Sequence, residues 1–181
     1  INLIERFNLE IFDIQKQSVH GGTLRIFISK KNNFNIKDNV NKFIKLEYEF
    51  GINNIKTYDK FSDDVQNLKN KIKELLHKLK NEKKSLFGYG ASAKGNVLLN
   101  YCNIDYNILD YVVDTTPLKQ GKFTPGTHIP ILSSEKISDK GNNDVGLLLA
   151  WNYESEILKK EKSFRSKGGK FLIPIPFPIL K

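Results

Sequence analysis

A chain of 181 residues with 29 lysines and arginines against 20 aspartates and glutamates carries a net charge of +9. No run of about 18 apolar residues occurs, which excludes a membrane-spanning helix, and no secretory leader pattern opens the chain. The single cysteine, Cys102, excludes an internal disulfide and a cysteine-built zinc site.

The first 31 residues read as a β-hairpin. Leu9, Ile11 and Ile14 belong to one apolar-rich strand, and Leu24, Ile26 and Ile28 alternate with Arg25, Phe27 and Ser29 in the next. His20-Gly21-Gly22 is the turn signal between them. His20 stands where a second molecule can approach closely, as a general base or a hydrogen-bond donor, or simply as a turn residue. An isolated hairpin is marginal in water, so this one is expected to belong to a larger sheet.

Residues 37–50 predict a helix, with Val40, Phe43 and Ile44 on one face and Gly51 just past its end. A longer helix follows, its stripe formed by Phe61, Val65, Leu68, Ile72, Leu75 and Leu79. Asp63 and Asp64 are expected near its start, and Lys78, Lys80, Lys83 and Lys84 crowd its end, as the helix dipole favours. The scattered lysines resemble no nucleic-acid module, and neither nucleic acid nor membrane is expected as a partner.

From residue 85 the pattern becomes alternating strands (85–89, 109–113, 129–132, 145–150, 170–175) and helices or helical turns (91–101, 133–138, 153–166). This alternation predicts an α/β fold: a Rossmann-like parallel sheet of about five strands with helices on both faces, preceded by the hairpin and the long amphipathic helix. Three segments are expected: the hairpin at 1–31, a helical connection at 32–84 and the Rossmann-like domain at 85–181.

The chemistry concentrates in Leu86–Gly95, LFGYGASAKG. A strand runs into Gly88-Tyr89-Gly90, and the small residues Ala91, Ser92 and Ala93 open a helix. Glycines let a ligand approach the backbone closely, and the helix start favours an anion. The run Gly88-Tyr89-Gly90-Ala91-Ser92-Ala93 satisfies G-x-G-x-x-(G/A) in the required strand-to-helix context. Asp114 ends the next strand roughly twenty residues on, where dinucleotide-binding folds place the acid that receives ribose hydroxyls. Ser92 and Lys94 suit phosphate oxygens. A nicotinamide-dependent oxidoreductase is one reading; a turn that only packs a helix on a sheet is the other. The polar loop Asp114–His128 lies beyond the same strand end, so Lys119, Lys122, Thr127 and His128 are candidates for the same pocket, with Trp151 and Tyr153 as possible walls. Cys102 reads as a buried structural thiol. No histidine–carboxylate cluster has metal-ligand spacing.

Five segments in order, VHGGTLRIFISK, FGYGASAKGNVLLNYC, YVVDTTPLKQGKFTPGTHIPIL, LLLAWNY and GGKFLIPIP, resemble the carboxyl-terminal domain of S-adenosylmethionine-dependent C-methyltransferases that act on nucleotide-linked deoxysugars. The resemblance runs from Val19 to Pro176. It implies that the hairpin is the tail of a central methyltransferase domain. It also implies that an amino-terminal zinc domain and the central S-adenosylmethionine site precede this chain, which lacks methionine and starts at Ile1. The reaction implied is deprotonation beside a 4-keto group followed by methylation of that carbon, with the catalytic residues upstream. By resemblance the domain binds a nucleotide diphosphate sugar and helps to close the cleft over it. It holds no cofactor itself, and S-adenosylmethionine binds outside these residues. The positions that match the family's motifs are His20, Gly21, Gly22, Gly88, Gly90, Ser92, Lys94, Gly95, Thr127 and His128, and with Ala91 and Asp114 they are the candidates for binding substrate or phosphate. The expectation is a cytoplasmic protein, inactive as this piece alone, with a homodimer among its candidate assemblies. The rivals are the oxidoreductase and a non-catalytic interaction or dimerisation module.

Overall fold

The computed structural model describes residues 1–19 and 22–181, so His20 and Gly21 of the expected turn lie outside the described residues. The chain divides into two compact units, Ile1–Asp63 and Asp64–Lys181.

The first unit opens with a short helix, α1 (Asn2–Glu5), followed by β1 (Leu9–Gln17) and β2 (Thr23–Lys30), which pair antiparallel with an irregularity between Ile11 and Asp13. The extra residue at this bulge, Phe12, stacks on Phe34 at 4.5 Å between ring centroids. Its carbonyl accepts the Lys37 amide at 2.9 Å. Beside it, Asp13 is buried and accepts hydrogen bonds from Lys37 Nζ and Asn39 Nδ2, each at 2.6 Å. The start of α2 (Asp38–Phe50) is thereby tied to the bulge. Gly51, at φ +82°, ends α2 in the left-handed conformation, as its position in the sequence predicts.

The helix α3 (Ile55–Asn81) begins earlier than its apolar stripe predicts. Asp63 and Asp64 therefore fall beyond its second turn instead of at its start. Within the second unit its buried line is Ile72, Leu76 and Leu79, and Leu68 and Leu75 of the expected stripe pack partly buried against the same core. Phe61, the first residue of the expected stripe, is exposed.

Six strands follow: β3 (Ser85–Tyr89), β4 (Val112–Asp114), β5 (Ile131–Ser133), β6 (Asp144–Leu148), β7 (Lys170–Ile173) and β8 (Ile179–Leu180). Their order in the sheet is β5-β4-β3-β6-β7-β8. All neighbours are parallel except β7 and β8. This is the doubly wound order with an antiparallel last strand, and its direction reverses between β3 and β6. The Rossmann-like α/β fold is thus as the sequence predicts, with β8 added: two residues carry no readable period.

Side chains alternate across the sheet. Leu86, Val112, Val145, Leu147 and Leu172 face one layer with α3 and with Leu98, Leu99 and Cys102 of α4 (Ala93–Cys102). Phe87, Tyr89, Val113, Leu148 and Phe171 face the other, where Phe164 and Ile157 pack. The Cys102 thiol sits in the first layer, and burial pushes its pKa up, as suits a packing residue.

Three expected elements differ. The helix over 153–166 is broken into α5 (Glu154–Lys160) and α6 (Lys162–Ser166), because Glu161 leaves helical geometry and turns its carboxylate onto Tyr89. The helical turn expected over 133–138 is present as a 3-10 turn, Ser134–Ile137. The strands expected at 109–113 and 129–132 start later, since Leu109 and Ile129 are buried coil. No helix among the described residues is long and apolar enough to cross a membrane.

Candidate functional site

Every predicted site residue of the second unit lies at the carboxyl ends of β3, β4 and β6 or in the loop after β4. In open α/β sheets this edge, at the switch point, is where ligands bind. The glycine turn sits there, and its glycines face protein. A Cβ on Gly95 would lie 2.5 Å from Leu149 Cβ and 3.0 Å from the Leu149 carbonyl oxygen. A Cβ on Gly90, at φ +88°, would lie 3.0 Å from Ala150 Cβ, and one on Gly88 would lie 2.8 Å from Val112 Cγ2. The helix start is pressed against the end of β6 more closely than any side chain permits.

Ser92 fastens that contact. Its hydroxyl caps α4 by accepting the Gly95 amide at 3.0 Å and donates to the Leu149 carbonyl at 2.9 Å. The Lys94 ammonium lies over the Trp151 ring, 5.5 Å from its centre.

Asp114 ends β4 as predicted, but its carboxylate faces the turn itself. Oδ2 accepts the Ala91 amide and Oδ1 the Thr116 amide, each at 2.7 Å. Lys119 Nζ closes the arrangement from the other side, donating to the Ala91 carbonyl at 2.9 Å and to Asp114 Oδ2 at 3.3 Å. Burial pushes the Asp114 carboxyl up, but the hydrogen bonds from Thr116, the Lys119 ammonium and the Ala91 amide outweigh it and hold the pKa below the ordinary value. The anion expected at this turn is present, and it is the protein's own carboxylate.

Thr127 is buried and exchanges a 2.7 Å hydroxyl bond with Thr124, whose oxygen also accepts the Ile129 amide. His128 is exposed, at φ +54°, and its amide closes the loop on the Thr124 carbonyl. Gly22, at φ +119°, belongs to the first unit and has open space around it.

Two clefts border the turn. One, of about 310 Å³, lies at the switch point and includes Gly90, Asp114, Thr115, Tyr153 and Lys160. The other, of about 410 Å³, lies between the start of α4 and the 117–131 loop, with Ala93, Asn96, Leu99, Lys122 and Phe123 in its walls. Asn96, Leu99 and Phe123 carry no motif, and only the cleft itself reveals them.

Below the first cleft, Tyr89 donates its hydroxyl to buried Glu161 at 2.6 Å. Burial and then this carboxylate push the phenol well above its ordinary pKa. Tyr89→Phe leaves a buried acceptor without its donor and is expected to cost about 2 kcal/mol in denaturant unfolding. A change within about 0.5 kcal/mol would show that Glu161 reaches solvent when the hydroxyl is absent. No group of three or more histidine, cysteine, aspartate or glutamate side chains among the described residues is placed to hold a metal ion.

Residues 18–176 match the family model described as the C-methyltransferase C-terminal domain. The chain is also similar to the C-methyltransferase NovU of Streptomyces niveus, with 37% identity over 177 residues. That alignment covers 97% of this chain and 42% of the relative, so the chain spans less than half the length of the protein it resembles.

Proposed function

This chain belongs to the C-methyltransferase C-terminal domain family, and from that premise we propose that it is the substrate-side part of an S-adenosylmethionine-dependent enzyme that methylates a carbon of a nucleotide-linked deoxysugar. Its role is to bind the nucleotide half and to close over the sugar. The methyl donor and the groups that move protons lie in domains outside these residues.

One observation carries this division of labour. A dinucleotide or an adenosyl cofactor at a Rossmann switch point needs the glycine-turn amides and the acid at the end of the second strand. Here Asp114 and the Ala91 amide are bound to each other, with Lys119 against both. The residues present do not fit S-adenosylmethionine or a nicotinamide dinucleotide, and no chemical step is assigned to either at this turn. The same observation counts against the oxidoreductase reading.

The first unit supports the second half of the proposal. Leu24, Ile26 and Ile28 alternate along β2 yet remain 39%, 46% and 41% exposed. A two-stranded hairpin with that face uncovered is incomplete as a folded unit. We read it as the tail of the methyltransferase domain's sheet. A purely non-catalytic interaction module would explain the hairpin but not a preformed cleft beside the glycine turn.

The test is methyl transfer from labelled S-adenosylmethionine to a nucleotide-linked 4-keto-deoxysugar. A polypeptide that joins this chain to a zinc domain and a central methyltransferase domain should place label on carbon, and the 181 residues alone should give none. Turnover by the 181-residue chain alone would sink the proposal, as would a longer polypeptide that binds S-adenosylmethionine but labels no sugar nucleotide.

A further inference from the structure

A two-stranded hairpin has two outer edges, and in the first unit they differ. The edge of β1 is closed. The Phe12 carbonyl accepts the Lys37 amide at 2.9 Å, the Ile14 carbonyl accepts Asn39 Nδ2 at 2.6 Å, and Glu10 Oε1 accepts the Asn32 amide at 2.6 Å. The segment that leads into α2 thus lies along β1, and no further strand can pair there.

The same bonds fix which way β2 faces. Ile14 turns its carbonyl to Asn39, and its cross-strand neighbour is Ile26. In an antiparallel ladder, pairs that exchange both backbone bonds alternate with pairs that turn theirs outward. Ile14 and Ile26 form an outward-turned pair. Ile26, and with it Leu24 and Ile28, therefore presents its amide and carbonyl to the open side of β2. Among the described residues no other strand meets them, since the hairpin is a sheet of two strands.

This edge has neither proline nor bulge to keep another strand away; the irregularity lies in β1. Its sequence, Thr23-Leu24-Arg25-Ile26-Phe27-Ile28-Ser29, fits a copy of itself. In antiparallel register about Ile26, Leu24 of one copy lies opposite Ile28 of the other, Arg25 opposite Phe27 and Thr23 opposite Ser29. Apolar side chains meet apolar ones, the cation meets an aromatic ring, and no like charges meet. The residues that this register hydrogen-bonds are the outward-turned ones, Leu24, Ile26 and Ile28.

We propose that the outer edge of β2 is a strand-pairing site and that a second copy of this chain occupies it, with a two-fold axis at Ile26. Two hairpins, each marginal alone, become one four-stranded sheet in the order β1-β2-β2-β1. The exposed stripe of Leu24, Ile26 and Ile28 then runs on from one copy into the other. In a longer polypeptide whose own sheet continues past β2, that sheet takes the edge instead.

Light scattering on the 181-residue chain over a range of concentrations tests it. The chain should pass from monomer to dimer as concentration rises, and the Ile26 amide should exchange with solvent more slowly in the dimer. Ile26→Pro removes the outward amide, leaves the bonds between β1 and β2 in place, and should raise the dimer dissociation constant at least tenfold. A pair of charge variants covers the case in which proline unfolds the hairpin. Leu24→Glu with Ile28→Glu sets like charges opposite each other across the axis and should also raise the constant at least tenfold. Leu24→Glu with Ile28→Lys sets opposite charges together and should return it to within about threefold of the starting value. In both, the carboxylate at position 24 faces Lys16 of its own hairpin, so β1 and β2 stay paired. A chain that stays monomeric at every concentration overturns the proposal. So does a dimer indifferent to Ile26→Pro, or one that the two charge variants affect alike. Labelled methyl transfer by a longer polypeptide depends on none of these results, so the two readings fail separately.

Discussion

Asp114→Ala is expected to lower the stability of the second unit by about 3 kcal/mol. The buried carboxylate accepts two amides at 2.7 Å, and deletion takes the acceptor from the half-buried Ala91 amide and from the Thr116 amide. The ion pair contributes the smaller share. Lys119 is 3.3 Å from Oδ2 with 42% of its side chain exposed, and pairs so solvated contribute under about 1 kcal/mol. Lys119→Ala should therefore cost less than a third as much. Trp151, the single tryptophan, reports on this unit in a denaturant titration. The effect has a pH signature. The folded pKa lies below the unfolded value of 3.8, so the carboxylate's contribution is fully present above 3.8 and disappears as pH falls through the lower folded value. The gap between wild type and Asp114→Ala should narrow in acid. Equal gaps at neutral pH and in acid, or a loss under about 1 kcal/mol, would mean that the turn amides are satisfied by water.

Gly95→Val should be at least as damaging, at about 3 kcal/mol. The neighbours of the added Cβ are Leu149 Cβ at 2.5 Å and the Leu149 carbonyl oxygen at 3.0 Å, which belong to the end of the central sheet and not to the tip of a flexible side chain. Helix α4 must lift away, and the Ser92 hydroxyl then loses the Leu149 carbonyl. Because α4 forms one wall of the 410 Å³ cleft, the same variant should also reshape that cleft. Lys94→Ala, next to it but exposed, should stay within about 0.5 kcal/mol. Full stability for Gly95→Val would show that α4 is not held against β6.

The fold was legible where the residues themselves carry the signal. The period change at residue 85, the strand ending in Gly88-Tyr89-Gly90 and Gly51 at the end of α2 each follow from local backbone requirements. The apolar stripe of α3 is wider than its four-three spacing shows: Leu68 and Leu75 pack against the core as expected, and Leu76 is buried beside them. The site was legible only as a location. Asp114 and the glycine turn are correctly placed together, yet their motif is the same whether the carboxylate receives a ribose or an amide of its own chain. That depends on the path of the 115–119 segment, which brings Thr116 and Lys119 back to Asp114. The cleft left no trace in the sequence, since a missing crossover helix is read simply as a polar loop. Glu161 was hidden for the opposite reason: it lies inside a helical pattern and breaks it for a partner, Tyr89, on a distant strand.

The strand order also sets how this unit can assemble. β3 lies at the centre of the sheet, and its longest pairing, Ser85 to Tyr89 against Asp144 to Leu148, joins segments on either side of the whole β4–β5 region. No hairpin can template that ladder, because parallel neighbours cannot be joined by a tight turn. Closure of so long an intervening loop must precede the contacts that reward it, which makes the central seam a slow, high-contact-order event. Until it forms, the apolar strand Leu86-Phe87 has one side of its backbone unpaired. The crowding of glycine and serine against Leu149 and Ala150 is thus also the point at which the two halves of the sheet become one cooperative body.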